Sequence, residues 1–291
     1  MSLIARFDPW RSTLCTCPPK LTFNPYTGCD HACIYCYASS YIPRFFNCRP
    51  KKHLIQRLTK EATKLKGETI SIANSSDPYP NQEATTGLTR KCLQTLSRAD
   101  CRIQIITKST LVTRDIDLLK KTPSMVSLTI TTDDDKIARL IEPNSPLPSE
   151  RLKTAETLIK HGIPTSVRID PIIPLVNDNP EALIRKLACI GVPHITCSTY
   201  KTKSDDWKRL STTLPRIADK LRPIYSNKGE RKARCTYLPR DLRTKLLETA
   251  AKLARDKGIK FGTCREDLGF MNTAVCDGSW MLFKQEENSD H

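Results

Sequence analysis

From Thr69 onward, short β-rich runs alternate with segments of helical periodicity, and that alternation leaves the chain few possible architectures. "ETISIAN" reads as a strand, and Gln82 to Ser97 then carries Leu88, Cys92, Leu93 and Leu96 at helical spacing. "CRIQIITK" precedes a short helix near Arg114 to Lys121. "MVSLTIT" precedes a helix from Asp133 and a second over Ser149 to His161, with Ser149 as N-cap and Gly162 as the stop. "TSVRIDPII", a helix from Pro180 to Cys189, and "HITCSTY" continue the series. Upstream, "KLTFN" is the first strand and His53 to Lys66 the first helix, with Leu54, Leu58 and Leu65 on one face. Strands joined through helices run parallel with right-handed crossovers. About six such units predict an α/β fold, a partial (β/α)6 TIM-type barrel with N- and C-terminal cysteine-bearing extensions. The expected division is an extension over 1–23, the barrel over 24–200, and a basic C-terminal region over 201–291. That last region holds a polar, proline-containing run from Lys201 to Arg240, a long helix from Pro239 to Lys257 and a tail with further cysteines.

The unusual polar residues sit directly after the strands, in "NSSDPYP", "TKST", "TTDDD", "DPIIP" and "STYK". Loops at strand C-termini build the sites of α/β barrels, so these clusters are expected to face one mouth. The stretch "NPYTGCDHACIYCYA" follows "KLTFN" in the same way and belongs with them.

No apolar run approaches a membrane span, and "MSLIARFDPWRST" lacks the charged-then-apolar layout of a secretion signal. The expected location is cytoplasmic, where 13 cysteines would not form a disulfide framework. Cys92, Cys101 and Cys189 fall within apolar periodic segments and are assigned to packing. Cys29, Cys33 and Cys36 need another account. Zinc sites usually pair their cysteines and add a second pair, whereas C-x3-C-x2-C has no partner pair at matching distance. Three thiolates are one fewer than a coordinatively complete iron–sulfur cluster takes, so such a cluster would keep one iron open.

C-x3-C-x-aromatic-C, here Cys29, Cys33, Tyr35 and Cys36, resembles the signature of radical S-adenosylmethionine enzymes. The wider context, with "SSDPYP", "TKS…TRDIDLL", "IEPNSPLPSERL" and "RIDPIIP", is similar to the branch that contains the spore photoproduct lyases and the relatives labelled DNA repair photolyases. The likeness runs from about Cys15 to Gly278. It implies that Cys29, Cys33 and Cys36 hold a [4Fe–4S] cluster whose open iron chelates S-adenosylmethionine. One-electron cleavage of that cofactor would yield a 5′-deoxyadenosyl radical, with a protein such as ferredoxin or flavodoxin as reductant. It also implies that Tyr35 lies near the adenine and that Ser75, Ser76 and Asp77 meet the methionyl amino group. Thr129 and Thr131 would reach the ribose, and Arg168 would share a face with Asp170. Cys197, near Tyr200, is the candidate hydrogen-atom donor. Asp77 has an Asp-Pro turn as its alternative, and both threonines are equally ordinary strand residues.

Cys15 and Cys17 in "CTCPP", with Cys264 and Cys276 in the tail, form a possible second metal site if the barrel brings both ends together. A second iron–sulfur cluster, zinc and four separate thiols are the alternatives, and Cys235 is a substitute for one member.

The net charge of +16 is concentrated. Arg44 to Lys66 carries +7 and Lys201 to Lys257 carries +10, leaving about −1 elsewhere. Such segregation suits a polyanion-binding surface, here assigned to Arg49, Lys51, Lys52, Lys201, Lys208, Arg209, Arg231, Lys232 and Arg234. Tyr200, Trp207, Tyr225 and Tyr237 interleave with the basic residues as candidate stacking groups. The expected function is radical modification or repair of a nucleic acid, DNA lesion or RNA nucleoside. Radical chemistry on a peptide or small metabolite is the first alternative, and a non-catalytic, metal-stabilised nucleic-acid-binding protein is the second.

Overall fold

The computed structural model describes residues 2–7 and 14–287, with side chains as far as 283. Seven strands form the frame: β1 Leu21–Phe23, β2 Glu68–Ile72, β3 Cys101–Thr107, β4 Ser124–Thr129, β5 Thr165–Ile172, β6 His194–Thr199 and β7 Lys260–Thr263. Each pairs in parallel with the next, in chain order. A two-residue strand, Ala5–Arg6, adds antiparallel to the outer side of β1. Among the described residues β1 and β7 do not pair with each other, so the sheet is an open barrel, as expected. The addition is β7, which sets Phe261 against Ile195 and Thr263 against Cys197. Four residues long and interrupted by Gly262, it offers too little alternation to be read from sequence.

Helices Leu54–Ala62, Leu88–Leu96, Pro148–Lys160, Glu181–Ile190 and Arg240–Asp256 cover the outside of the sheet. Their apolar stripes, among them Leu58, Leu93, Leu158, Leu187 and Ala250, meet Ile72, Ile105, Leu128, Val167 and Ile195 in one core. Each such fully buried Leu or Ile contributes about 1.5–3 kcal/mol. Local departures from the expected pattern have simple causes. The helix expected over Gln82 to Ser97 divides at Gly87, whose φ of +58° turns the chain between Glu83–Thr86 and Leu88–Leu96. Ser149 is not the N-cap of its helix: Pro148 opens it, and Glu150 accepts from the backbone nitrogen of Leu147 at 2.6 Å. Cys92 and Cys101 are buried as assigned, but Cys189 is exposed on the outer face of its helix.

The run after β6 folds into helices Ser204–Thr213 and Pro215–Asn227 and a hairpin of Glu230–Lys232 with Cys235–Tyr237. These pack a second core of Tyr200, Leu210, Leu221, Tyr225 and Leu238 directly against Ile34 and Tyr35 of the cysteine loop. Tyr200, Tyr225 and Tyr237 are therefore buried packing groups, not stacking platforms, and Trp207 lies edge-on to Tyr225 at 5.5 Å.

The tail returns through the barrel. Thr196 Oγ1 donates to the carbonyl of Cys276 at 2.7 Å, and Gln104 Nε2 to that of Asp277 at 3.1 Å. Buried Lys20 donates to Asp277 at 2.5 Å and to Gln104 at 2.9 Å, tying the segment before β1 to the tail. Met281 and Leu282 close that end against Met125. No helix among the described residues is long and apolar enough to cross a membrane.

Candidate functional site

The strand C-termini open into a cavity of about 520 Å³. Asn74, Ser75, Ser76 and Asp77 after β2, Thr107 and Lys108 at the end of β3, and Thr129 of β4 line it. Arg168 and Asp170 of β5, Ser198 and Thr199 of β6 with Tyr200 and Lys201 after it, and Cys264 and Arg265 after β7 complete that side. Four of the five polar clusters singled out in the sequence thus meet at one mouth. The "TTDDD" cluster does not: Asp133 pairs outside with Lys186 at 2.8 Å, and Thr131 is turned away from the cavity.

The cysteine loop forms the opposite wall, with Cys29, Cys33, Tyr35 and Cys36 all facing the cavity. Its path depends on Gly28, whose φ is +82° and where a Cβ would stand 2.2 Å from the carbonyl oxygen of Phe45. That close approach lets the backbone of Cys29 donate to the same oxygen at 2.8 Å. Further on, Ile34 donates to Ile141 at 3.0 Å and Cys36 to Cys33 at 3.2 Å. From the far side Arg209 donates to the carbonyls of Ile34 at 3.1 Å and Cys36 at 2.6 Å and to Ser39 Oγ at 2.9 Å. Asp205 holds the guanidinium at 2.6 Å and accepts from Ser39 at 2.5 Å.

Burial pushes the thiols of Cys29 and Cys33 up, and that of Cys36 to about 11. For Cys29 the neighbouring Asp77 adds to the effect, whereas Lys108 opposes it at Cys33. Three thiols held nearly dry are poor free thiolates, and cationic iron supplies the charge that lets them deprotonate. The donor set therefore fits an iron–sulfur cluster. Among the described residues no three Cys, His, Asp or Glu side chains gather as ligands of a single metal ion.

Beneath the loop lies a buried network. Tyr35 and Arg151 both donate to Glu142, and Thr131 Oγ1 donates to it at 3.0 Å. Arg151 also reaches the carbonyls of Thr129 at 2.8 Å and Pro146 at 2.9 Å. Burial alone would raise the Glu142 carboxyl, but the charges of Arg151 and Lys108 outweigh it and hold the group below its usual range. Tyr35 is fixed by its hydroxyl while its ring, with Lys108 Nζ 5.6 Å from the centroid, faces the cavity. Thr131 is thus a partner of Glu142 and not a cavity residue, whereas Thr129 keeps its place on the wall.

Asp77 does two things. Its carboxylate accepts from the backbone of Tyr79 at 2.9 Å, as an Asp-Pro turn requires, and from Thr107 Oγ1 at 2.6 Å and Lys108 N at 2.7 Å. His31 Nδ1 lies 3.5 Å away. It also lines the cavity, beside Ser75 and Ser76. Arg168 and Asp170 share a face as expected and pair at 2.5 Å, with Ser198 donating to the same carboxylate.

Other assignments need correction. Cys197 is fully buried in the outer core with Ile195 and Leu187, on the face of β6 opposite the cavity, and is not placed to donate a hydrogen atom there. Lys201 is not a surface residue: it lines the cavity and pairs with buried Glu266 at 2.6 Å. Arg209 is occupied by the cysteine loop. Arg49 is folded back on the carbonyls of Pro43, Arg44 and Asn47, and Lys232 pairs with Glu230 and Asp267. Lys51 is half-buried, and Lys52, Lys208, Arg231 and Arg234 remain exposed or partly so. Lys20 and Asp277 carry no sequence motif of their own; Lys108 is signalled by its position directly after β3, and Glu142 and Arg151 fall within "IEPNSPLPSERL", which gives no hint that they pair.

The family model for the Radical SAM superfamily matches residues 23–187, from the strand before the cysteine loop to the helix after β5. The chain belongs to the radical SAM superfamily. Radical SAM proteins use a [4Fe–4S] cluster and S-adenosylmethionine, in agreement with the thiol set described above. The fold is that of spore photoproduct lyase. A cysteine-to-serine variant of that enzyme aligns with a TM-score of 0.66 at 18% identity, over 82% of this chain and 74% of the lyase. A lyase variant with bound AdoMet and dinucleoside spore photoproduct gives 0.63, also at 18%. Among curated relatives, an uncharacterized protein of Mycobacterium tuberculosis is 25% identical over 261 residues, covering 81% of this chain and 74% of its own. Another, from Methanocaldococcus jannaschii, is 35% identical over 163 residues, 53% of this chain and 61% of the relative. A protein of Acidianus two-tailed virus is 30% identical over 191 residues, covering 58% and 63% respectively.

Proposed function

We propose that the protein is a radical SAM enzyme that modifies or repairs a nucleic acid. The observation that carries the reading is the Cys29–Cys33–Cys36 loop set on the wall of a cavity at the strand C-termini. Cys29, Cys33 and Cys36 would hold a [4Fe–4S] cluster, which when bound would supply the electron for one-electron cleavage of S-adenosylmethionine. The chain's own residues bind and orient. Ser75, Ser76 and Asp77 offer acceptors for an ammonium, Arg168 and Lys108 offer cations for a carboxylate, and Tyr35 and Thr129, on the cavity wall, are assigned to the nucleoside portion. The second core, packed over the loop, excludes water from a reactive species.

The nucleic-acid part rests on charge and on exposed rings. Lys52, Lys208, Arg231 and Arg234 reach solvent within the two basic segments. Tyr41 and Phe46 are exposed beside the cysteine loop, each under a cation: Lys203 is 5.4 Å from the first ring and Arg209 5.1 Å from the second. Cations neutralise phosphates and open aromatic faces stack bases. A lyase of the same fold binds a dinucleoside photoproduct, which supports the same substrate class.

The test is 5′-deoxyadenosine formation by reduced, anaerobically reconstituted protein with S-adenosylmethionine, using Cys36→Ala as control. Arms with transfer RNA, ultraviolet-irradiated DNA and a peptide pool identify the substrate class. Stimulation by a nucleic acid supports the reading, and stimulation by peptides alone replaces it with the peptide alternative. Cluster-loaded protein that makes no product in any arm overturns it.

A further inference from the structure

We propose that Cys15, Cys17, Cys264 and Cys276 hold a second iron–sulfur cluster, beside the cavity that the Cys29 loop also lines. Cys15 and Cys17 precede β1, Cys264 and Cys276 follow β7, and the fold brings Cys17 against Cys276. Cys17 Sγ lies 3.5 Å from Cys276 Sγ across 259 residues of sequence, and Cys15 stands two residues before Cys17. Cys15, Cys17 and Cys264 line the cavity, whereas Cys92, Cys101 and Cys197 are buried in the apolar core, where packing alone accounts for them.

The backbone around the four is built to hold position. Gly262 carries no Cβ where one would stand 2.6 Å from the Cα of Cys276, so the Cys276 backbone lies directly on β7, two residues before Cys264. Thr196 fixes the Cys276 carbonyl at 2.7 Å, and the backbone of Cys264 donates to Cys197 at 2.8 Å. Thr16, between the first two cysteines, lies against Gly269 of the tail.

Lys20 and Arg168 both line the cavity, the first paired with Asp277 at 2.5 Å and the second with Asp170 at 2.5 Å. Four thiols that lose their protons to ligate a [4Fe–4S] core make an anion of about −2. The thiols do not converge as ligands of one ion among the described residues, and a cluster, with one thiolate on each iron, takes a wider set. Saturated by four cysteines, its irons leave no open position. This site therefore differs in kind from the Cys29 loop, and it fastens both ends of the chain to the barrel.

The test uses full-length protein in which Cys29, Cys33 and Cys36 are all changed to Ala, reconstituted anaerobically with ferrous iron and sulfide. The expected result is about four irons and four sulfides per chain, against about eight of each in the unchanged protein, with an electron paramagnetic resonance signal after reduction. Adding Cys17→Ser and Cys276→Ser should remove that iron while far-ultraviolet circular dichroism stays the same. If those changes unfold the chain, Cys264→Ser alone should alter the signal of the remaining cluster. A triple variant that takes up no iron, beside unchanged protein holding about four, overturns this site and leaves the radical SAM reading standing. No iron in either protein overturns both. One zinc per chain in the triple variant, or a Cys17–Cys276 disulfide persisting under reductant, overturns the iron–sulfur assignment.

Discussion

Arg209 donates to the carbonyl oxygen of Cys36 at 2.6 Å, joining residues 173 apart in sequence. The same guanidinium holds Ile34 and Ser39, so one planar fork from the helical pair after β6 fixes three points of the cysteine loop. Replacing Arg209 by Ala leaves these acceptors without their charged donor, at a cost of about 1–3 kcal/mol. The iron–sulfur absorbance of Arg209→Ala should bleach several-fold faster under a chelator than that of the unchanged protein. Arg209→Lys should not restore it, because an ammonium cannot span the three acceptors.

Gly28→Ala should be more damaging than its size suggests. The new methyl meets a backbone carbonyl that also anchors Cys29, in a conformation that costs other residues about 1–2 kcal/mol before any clash. Iron content after reconstitution should fall to a small fraction of normal, with the barrel's circular dichroism retained. Normal iron loading would show that the loop tolerates a shifted path.

Glu142→Gln removes the partner of a guanidinium that has no access to water. Breaking a buried pair from one side costs about 3–5 kcal/mol, and urea unfolding should show a loss in that range. Thr131→Val, which leaves the ion pair intact and removes one hydroxyl donor, should cost only about 1 kcal/mol.

Asp170 gives the protein an acid limit. Burial pushes its carboxyl up, but the charges of Arg168 and Lys201 and the hydrogen bonds from Ser198 and Arg168 bring it to about 2 from an ordinary 3.8. A carboxyl depressed in the folded state adds stability above its unfolded value and loses it as pH falls through the folded one. Asp170→Asn should therefore lower stability at neutral pH and flatten its fall between about pH 4 and pH 2. A denaturation series across that range reads both effects.

If the exposed basic residues meet phosphates, charge reversal at Lys208 or Arg234 should weaken nucleic-acid affinity across all sequences. Removing one cation that neutralises a phosphate should reduce the slope of log affinity against log salt by about 1. An unchanged slope would move the interface elsewhere. Lys232→Glu is the comparison, since its ammonium is already paired with Glu230 and Asp267.

The barrel was legible because hydrophobic alternation, helical periodicity and post-strand polarity are local signals. Six strands and the shared mouth follow from them, and the cysteine loop from its spacing. What was hidden depends on long-range packing. Arg209 and Lys201 look like surface charge in sequence, yet each is drawn inward by a partner far away in the chain. Tyr200 and Tyr225 sit among lysines and arginines but pack against the cysteine loop's own side chains. Cys197 failed as a site residue because strand alternation sends it outward, and only the register of β6 against its neighbours shows which face is which.

The distance in sequence between the cysteine loop and its clamp has a consequence for synthesis. As the ribosome delivers the N-terminal end first, Cys29, Cys33 and Cys36 emerge well before Arg209, and Lys20 waits 257 residues for Asp277. A nascent chain therefore presents three adjacent thiols with nothing to cover them. Maturation of this protein becomes a matter of timing: iron delivered to the unfinished chain meets an open loop, while iron delivered after release meets a wall already set.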